Sequence, residues 1–310
     1  MVENRKIQLV GNSTYTISLP KQWIEKNKLK EKNTLEIEEN PDGSLLINVG
    51  KQKQNFSEMN LNSDYYKENL GEILLAIYYL GTDTIRVYSK NNLSKEAKAK
   101  IRKAMQNMSG TVISQEDDKE IIIKVLLEKS KVEIKQILFR LCTLIDNSLN
   151  ALQEKPNKEE IQLNENEIDR LYHLGVKTLT ISLINNQFLI TSGIKNATLI
   201  PSYFFILKRL EHIGDEIQAL SKSTYYKKEK SKENSEILNL LRKKIKEIHF
   251  TLKNEETKLN NNEWTEEIET NLNKINTLTQ NHYRQIIRFL KDMQEEIIYL
   301  KYYKELIKET

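Results

Sequence analysis

The sequence predicts an α+β protein of several domains, in which a β-rich unit and a small α/β domain precede a helical bundle. Residues 1–50 hold short alternating segments separated by turn residues. Residues 51–128 mix helix and strand periodicity, and residues 129–310 carry apolar residues at three- and four-residue spacing throughout. We therefore place the domain boundaries after residues 50 and 128.

The composition favours a cytoplasmic protein that is not an enzyme. A formal net charge of +4 over 310 residues permits an anionic partner without requiring one. The single cysteine, Cys142, fits a reducing compartment and lies on an apolar helical stripe, which is typical of a core thiol. No apolar run approaches the roughly 18 residues of a membrane span, and the N-terminus lacks the apolar core of a signal peptide. No glycine-rich phosphate loop, nucleophile elbow or Cys/His zinc pattern occurs, so no catalytic residue is expected.

The first domain is predicted to be two strand pairs around a short helix. Residues 6–10 and 15–19 alternate as strands, with turn chemistry at residues 11–13. Pro20 opens a helix over residues 21–26. The second predicted strand pair, separated by a strong turn, covers residues 34–38 and 45–49.

The second domain alternates helices and strands. Residues 65–80 form a predicted helix that Gly81 ends. Ser94 caps a basic helix that runs to residue 108. The predicted strands cover residues 84–88, 111–114 and 120–127.

The third domain is predicted to be a bundle, since long helices joined by short connections pack antiparallel. Its first helix stops near Pro156, its second frays near residues 185–186, and its third begins near Ala197. The last two predicted helices cover about 232–260 and 264–308.

Two neighbouring helices of this bundle carry the same acidic spacing. Glu165 and Asp169, like Glu211 and Asp215, are four residues apart, so both carboxylates of each pair share a helix face. Like charges at this spacing cost roughly 0.2–0.5 kcal/mol per pair, which a basic side chain or a cation would offset. Spacing alone favours ordinary ion pairs with the nearby basic residues Arg170, Lys208 and Arg209. Gly214 inside the helix indicates a close helix approach beside the acidic pair.

The N-terminal segment of residues 5–23 resembles the AbrB/SpoVT swapped-hairpin family. The resemblance rests on the glycine-bearing turn, the strand ending in Ser18-Leu19-Pro20-Lys21, the short helix and the later Asp42-Gly43 hairpin. In that family two chains interlock into one β-barrel, so the resemblance implies a homodimer. The size of the domain agrees, because so short a segment rarely buries enough surface alone.

Many members of that family bind DNA through this domain. A local excess of basic residues in the first thirty positions suits phosphate contacts, although the next twenty positions reverse the charge. Two interpretations remain open, a DNA-binding head and a head that only dimerises. The candidate DNA contacts are polar or basic: Arg5, Lys6, Gln8, Asn12, Ser13, Thr14 and Lys21.

The acidic helices resemble the PhoU family, which is named for phosphate-uptake regulation. Leu210-Glu211-His212-Ile213-Gly214-Asp215 is similar to that family's signature helix, with His212 where the family often has Arg. Residues 165–171 resemble the acidic motif on the preceding helix. The family holds metal ions, often iron or zinc, on such motifs. The resemblance therefore implies a divalent metal or iron cofactor on the bundle surface, with Glu165, Asp169, Glu211 and Asp215 as ligands. His173 continues the first acidic face and is a further candidate.

The resemblance covers nearly the whole chain. Residues 73–88 are similar to the connector between an AbrB-like head and a PhoU-like bundle in archaeal phosphate-uptake regulators. The family usually has two three-helix repeats, whereas the second half here is predicted to have two long helices, and its counterpart motif at residues 292–296 is weak.

Together the two resemblances imply a homodimeric regulator of phosphate-responsive processes that binds DNA as a transcriptional regulator. One alternative is an adaptor that does not bind DNA and acts on a phosphate transporter ATPase or a sensor kinase. Another alternative is a metal-binding protein without a transcriptional role.

Overall fold

The computed structural model describes residues 4–11, 13–39, 43–49, 57–154, 157–223, 231–254 and 263–308. The chain divides into two compact units, residues 1–55 and 56–310. The first unit contains strands and a short helix, and the second contains a mixed sheet and a helical bundle, so the predicted α+β class is confirmed. The three-domain boundaries stay a prediction.

The first unit consists of two antiparallel strand pairs and one helix. Strand β1 (Gln8–Val10) pairs with β2 (Thr14–Thr16), and β3 (Glu36–Glu39) pairs with β4 (Leu45–Asn48). Helix α1 (Lys21–Lys26) lies between the pairs in sequence. Gly11 closes the first hairpin with φ of +67°, a conformation that glycine adopts without steric cost. The dimeric barrel stays a prediction, since one chain is described; the predicted turn residues 40–42 lie outside the described residues.

The second unit begins with a two-layer α/β element. Its four-stranded sheet has the order β5-β6-β8-β7, in which β5 and β6 are parallel and β8 is antiparallel to both neighbours. The strands are β5 (Glu58–Asn62), β6 (Thr84–Tyr88), β7 (Thr111–Glu116) and β8 (Glu120–Val125). Helices α2 (Leu70–Tyr79) and α3 (Lys95–Gln106) supply the second layer of the core.

Local sequence explains most ends of these elements. The Ser94 hydroxyl accepts a hydrogen bond from the Ala97 amide at 3.0 Å, which confirms the predicted N-cap of α3. Gly81, just past α2, has φ of +80°. Helix α2 starts at Leu70 rather than at residue 65, where a short 3₁₀ turn (Ser63–Tyr65) ends. Strand β5 was not predicted from the sequence.

The remainder of the second unit is the helical bundle, whose core is built from apolar residues of every long helix. Its helices are α4 (Ile134–Glu154), α5 (Lys158–Ile184), α6 (Asn186–Thr191), α7 (Ile200–Lys222), α8 (Lys232–Asn254), α9 (Glu263–Leu272) and α10 (Thr277–Lys308). Cys142 is buried in this core, as predicted. Within the described residues, no helix combines the length and apolar character needed to cross a membrane.

The prediction of one helix over about 264–308 is wrong, because this segment forms two helices. The chain leaves α9 after Leu272 and re-enters helix at Thr277. Asn276 provides the break: its side-chain oxygen accepts a hydrogen bond from the Leu278 amide at 2.9 Å, as a helix-capping residue does. The described part of the second half therefore contains the three helices α8, α9 and α10 rather than two.

Candidate metal centre

Helices α5 and α7 cross closely because each contributes a glycine to the contact. A Cβ atom placed on Gly175 of α5 would lie 2.5 Å from the Leu207 side chain of α7. A Cβ atom placed on Gly214 of α7 would lie 3.1 Å from the Ile168 side chain of α5. The predicted close approach at Gly214 is thus observed, and it brings the acidic faces of the two helices together.

Three of the four predicted ligands meet at this crossing. One ligand oxygen each from Glu165, Asp169 and Asp215 lies within 4.8 Å of the others. Oxygen ligands lie about 2.0–2.6 Å from Mg²⁺ or Ca²⁺, so any two ligands of one ion are less than about 5.2 Å apart. The three carboxylates therefore fit around a single divalent cation, with positions left for water.

Negative charge predominates in this group, although Lys222 and Lys208 partly offset it. Burial, followed by the charges of Glu165, Asp215 and Glu211, raises the pKa of Asp169 to about 7. Burial and the neighbouring carboxylates also raise the pKa values of Glu165 and Asp215. When protonated, Asp169 donates a hydrogen bond to Glu165. In the part of the chain that the structure describes, no Lys or Arg lies within ion-pair distance of these three carboxylates.

The fourth predicted ligand, Glu211, is held by a lysine instead. The Lys208 ammonium lies 2.8 Å from the Glu211 carboxylate, and His212 lies 3.7 Å from the same oxygen. The ion-pair interpretation thus holds for Glu211 and Lys208. Arg209 contacts a different acid, Asp292, at 2.8 Å.

His173 does not join the acidic group. Its Nδ1 atom is hydrogen-bonded to the Tyr79 hydroxyl of α2, and the two rings stack with centroids 5.9 Å apart. Burial, aided by the Lys208 charge, lowers the pKa of His173 to about 4, so the ring is neutral at physiological pH. The ligand set is consequently all oxygen, which suits a hard cation better than zinc.

The motif at residues 292–296 does not form a second acidic group. Asp292 pairs with Arg209, and Met293 is buried in the bundle core. Among the described residues, the Glu165, Asp169 and Asp215 group is the only set of three potential ligands that lie together.

One polar contact of the bundle was missed by the sequence analysis. The His282 ring on α10 lies 2.6 Å from the Glu216 carboxylate on α7. These residues are 66 positions apart, so no spacing along one helix could have revealed the pair.

The predicted DNA contacts in the head are exposed on or beside the first hairpin. Gln8 lies in β1, Thr14 in β2 and Ser13 in the turn between them. Arg5 and Lys6 precede β1, and Lys21 starts α1, where it lies 3.8 Å from Glu25. Asn12 lies outside the described residues.

The fold and the site together define a protein with a strand-hairpin head and a helical bundle that carries one group of three carboxylates. Residues 8–55 match a family model described as "Antidote-toxin recognition MazE, bacterial antitoxin", and residues 134–224 match the PhoU domain. These matches confirm a MazE/AbrB-like head followed by a PhoU-like bundle. The PhoU match includes α4 to α7, and hence the whole acidic group. No curated protein and no solved structure matches the chain.

Proposed function

We propose that this protein is a non-enzymatic, homodimeric regulator of phosphate-responsive processes that binds DNA through its head. The order of a MazE/AbrB-like domain and a PhoU domain in one chain supports this function. The observation that carries the proposal furthest is the surface of the head, where both apolar and basic residues are exposed.

Within one chain, the described residues of the head form no apolar core. None of its described residues is buried, and Ile7, Tyr15 and Leu45 are 69%, 68% and 64% exposed. Exposed apolar side chains on a set of short strands are the pattern of an interface, because such strands are stable only when their apolar face is covered. A second copy of the head supplies that cover.

Sedimentation equilibrium tests the dimer directly. The chain has a mass of 36.5 kDa, and we expect twice that mass in solution. Leu45→Glu places a charge within the apolar surface and is expected to shift the protein toward monomer. A wild-type monomer at micromolar concentration contradicts the proposal.

The exposed hairpin provides the DNA-binding groups. Basic side chains supply the sequence-independent part of DNA affinity, and polar side chains can reach base edges. The triple variant of Arg5, Lys6 and Lys21 to Ala is therefore expected to lose DNA binding while it remains dimeric. The matched control removes the same amount of charge from the bundle by changing the exposed residues Lys195, Lys243 and Lys291 to Ala. This control is expected to keep DNA binding.

The alternative function is an adaptor whose head only dimerises and whose bundle contacts a phosphate transporter ATPase or a sensor kinase. The matched head model is described for recognition of a toxin by an antitoxin, so a protein partner also fits the head. The two functions are distinguished by the triple variant, because an adaptor binds its protein partner equally well with and without these charges.

The bundle is proposed to hold one hard divalent cation on Glu165, Asp169 and Asp215. The geometry that supports this site is the convergence of three carboxylates from two helices, none of which forms an ion pair with a lysine or arginine in the described part of the chain. A bound cation would neutralise these carboxylates and link α5 to α7.

Equilibrium dialysis with Mn²⁺ tests the cation site. We expect one Mn²⁺ per chain, lost in Asp215→Asn and kept in the charge-matched control Glu167→Gln, whose carboxylate pairs with Arg140 at 2.9 Å. Equal Mn²⁺ binding by the two variants contradicts this site.

A further inference from the structure

Lys177 of α5 is a buried amine without a hydrogen-bond partner. Its side chain is 1% exposed, and no group in the described residues accepts a hydrogen bond from Nζ. The Nζ atom lies 4.0 Å from the centroid of the Tyr78 ring on α2. A buried amine normally has a carboxylate or carbonyl partner, because the charged form is costly without one.

The groups that face Lys177 do not supply that partner. The nearby carboxylate, Asp83, lies 2.6 Å from the ammonium of Lys129, which is itself a second positive charge next to Lys177. The Tyr78 hydroxyl donates to the backbone oxygen of Ser109 at 3.1 Å.

One turn earlier on α5, the contact with α2 is neutral. His173 is hydrogen-bonded to Tyr79, and burial keeps both side chains uncharged near neutral pH. Lys177 is thus the group on this face of α5 whose protonation would place a charge between the two helices.

Lys177 lies where the α/β layer packs on the bundle. Helix α2 contacts α5, and a Cβ atom on Gly81 would lie 2.7 Å from the Ile181 side chain, one turn beyond Lys177. The Lys177 Nζ atom is inaccessible to solvent in this contact, so hydration of its ammonium form requires separation of the two helices.

The electrostatic effects on Lys177 oppose one another, and their net result is a lowered pKa. Burial, followed by the Lys129 charge, lowers the pKa of Lys177 to about 7, and Asp83 opposes this shift. The face of the Tyr78 ring also favours the charged form. A solvated lysine has a pKa of 10.5, so opening of the contact makes Lys177 more basic.

We propose that the protonation state of Lys177 controls how tightly the α/β layer packs on the bundle. Separation of α2 from α5 takes up one proton at this amine, so the packing weakens as the pH falls. Between the pKa of about 7 in the closed contact and 10.5 in the open one, linkage gives a rise of about tenfold in the opening constant per pH unit of acidification. Below pH 7 both forms carry the proton, and the dependence levels off.

Hydrogen exchange followed by mass spectrometry on the full chain tests this effect of Lys177. Opening constants of α2 amides are measured from pH 7 to 9.5 in the wild type and in Lys177→Met, which has a similar length and no charge. The ratio of wild type to variant is expected to rise about tenfold per unit of acidification in the upper part of this range. A ratio that is constant with pH overturns the proposal, since it means that Lys177 stays charged over the Tyr78 ring.

Lys177→Arg is the second variant, because arginine keeps its charge at every pH. Its opening constant is expected to be independent of pH once intrinsic exchange rates are removed. A slope equal to that of the wild type would assign the proton to another group and overturn the proposal. If Lys177→Met does not fold, α8 amides of the same wild-type sample serve as the reference for the slope.

Discussion

Replacement of Asp169 by Asn is the most informative change at the acidic group. Asparagine keeps the shape of the side chain and can donate the hydrogen bond to Glu165, but it never carries a negative charge. In the wild type, burial and three neighbouring carboxylates raise the pKa of Asp169 from 3.8 to about 7. Ionisation of Asp169 therefore opposes folding whenever no cation is bound.

The size of this effect follows from linkage. Each pKa unit corresponds to about 1.4 kcal/mol, and because Asp169 is partly exposed, solvent screening reduces the total to on the order of 1–2 kcal/mol. The folded pKa is raised, so the contribution of Asp169 to stability is fully present below pH 3.8 and is lost as the pH rises through 7. The Asp169→Asn variant has no ionisable group at this position, so it does not lose this stability as the pH rises.

Thermal unfolding in a chelating buffer measures the difference. At pH 8 we expect Asp169→Asn to unfold roughly 2–8 °C above the wild type, and the gap to close near pH 4. Saturating Mn²⁺ is expected to reverse the order, because the wild type gains about 2.7 kcal/mol at a hundredfold excess over the dissociation constant.

Glu167→Gln is the matched control for this prediction. Glu167 lies on the same helix and pairs with Arg140 in a partly exposed contact, so its loss is expected to cost at most about 1 kcal/mol with no dependence on Mn²⁺. An Asp169→Asn protein that is less stable than the wild type at pH 8 in chelator would refute the reasoning.

Two further predictions concern packing and helix ends. Gly175→Ala is expected to destabilise the second unit by about 1–3 kcal/mol, because its Cβ would meet Leu207 at 2.5 Å. Urea unfolding measures this change in stability. The control is Gly71→Ala, whose Cβ would have its nearest contact at 3.9 Å and which is expected to be neutral or stabilising by up to about 1 kcal/mol. Asn276→Ala is expected to cost about 1 kcal/mol through loss of the α10 cap, and unchanged urea unfolding would show that this cap is not required.

The sequence predicted the elements whose signal is local. Ser94 at the start of α3 and Gly81 after α2 combine capping chemistry with a clear apolar period, and both lie where expected. Strand β5 was not predicted because it has only two apolar residues, Met59 and Leu61. Its place in the sheet depends on parallel pairing with β6, which no local pattern reveals.

The candidate site was predictable in part for the same reason. Spacing by four residues placed Glu165 with Asp169 on one helix face, and the glycine at 214 indicated the close crossing that brings in Asp215. Spacing also allowed the ion pair between Lys208 and Glu211 that the structure contains. Spacing could not show that Lys208 pairs with Glu211 while Asp215, on the same helix, has no lysine or arginine at ion-pair distance in the described residues.

The central claim is that the paired heads bind DNA, and a salt series on the wild-type protein tests it most directly. Binding to a duplex from the protein's own promoter and to a random duplex is measured from low to high salt. Six basic side chains in a dimer predict a slope of log affinity against log salt on the order of −5, with tighter binding to the promoter. No binding to either duplex at low salt would contradict the account and leave the adaptor function as the better explanation.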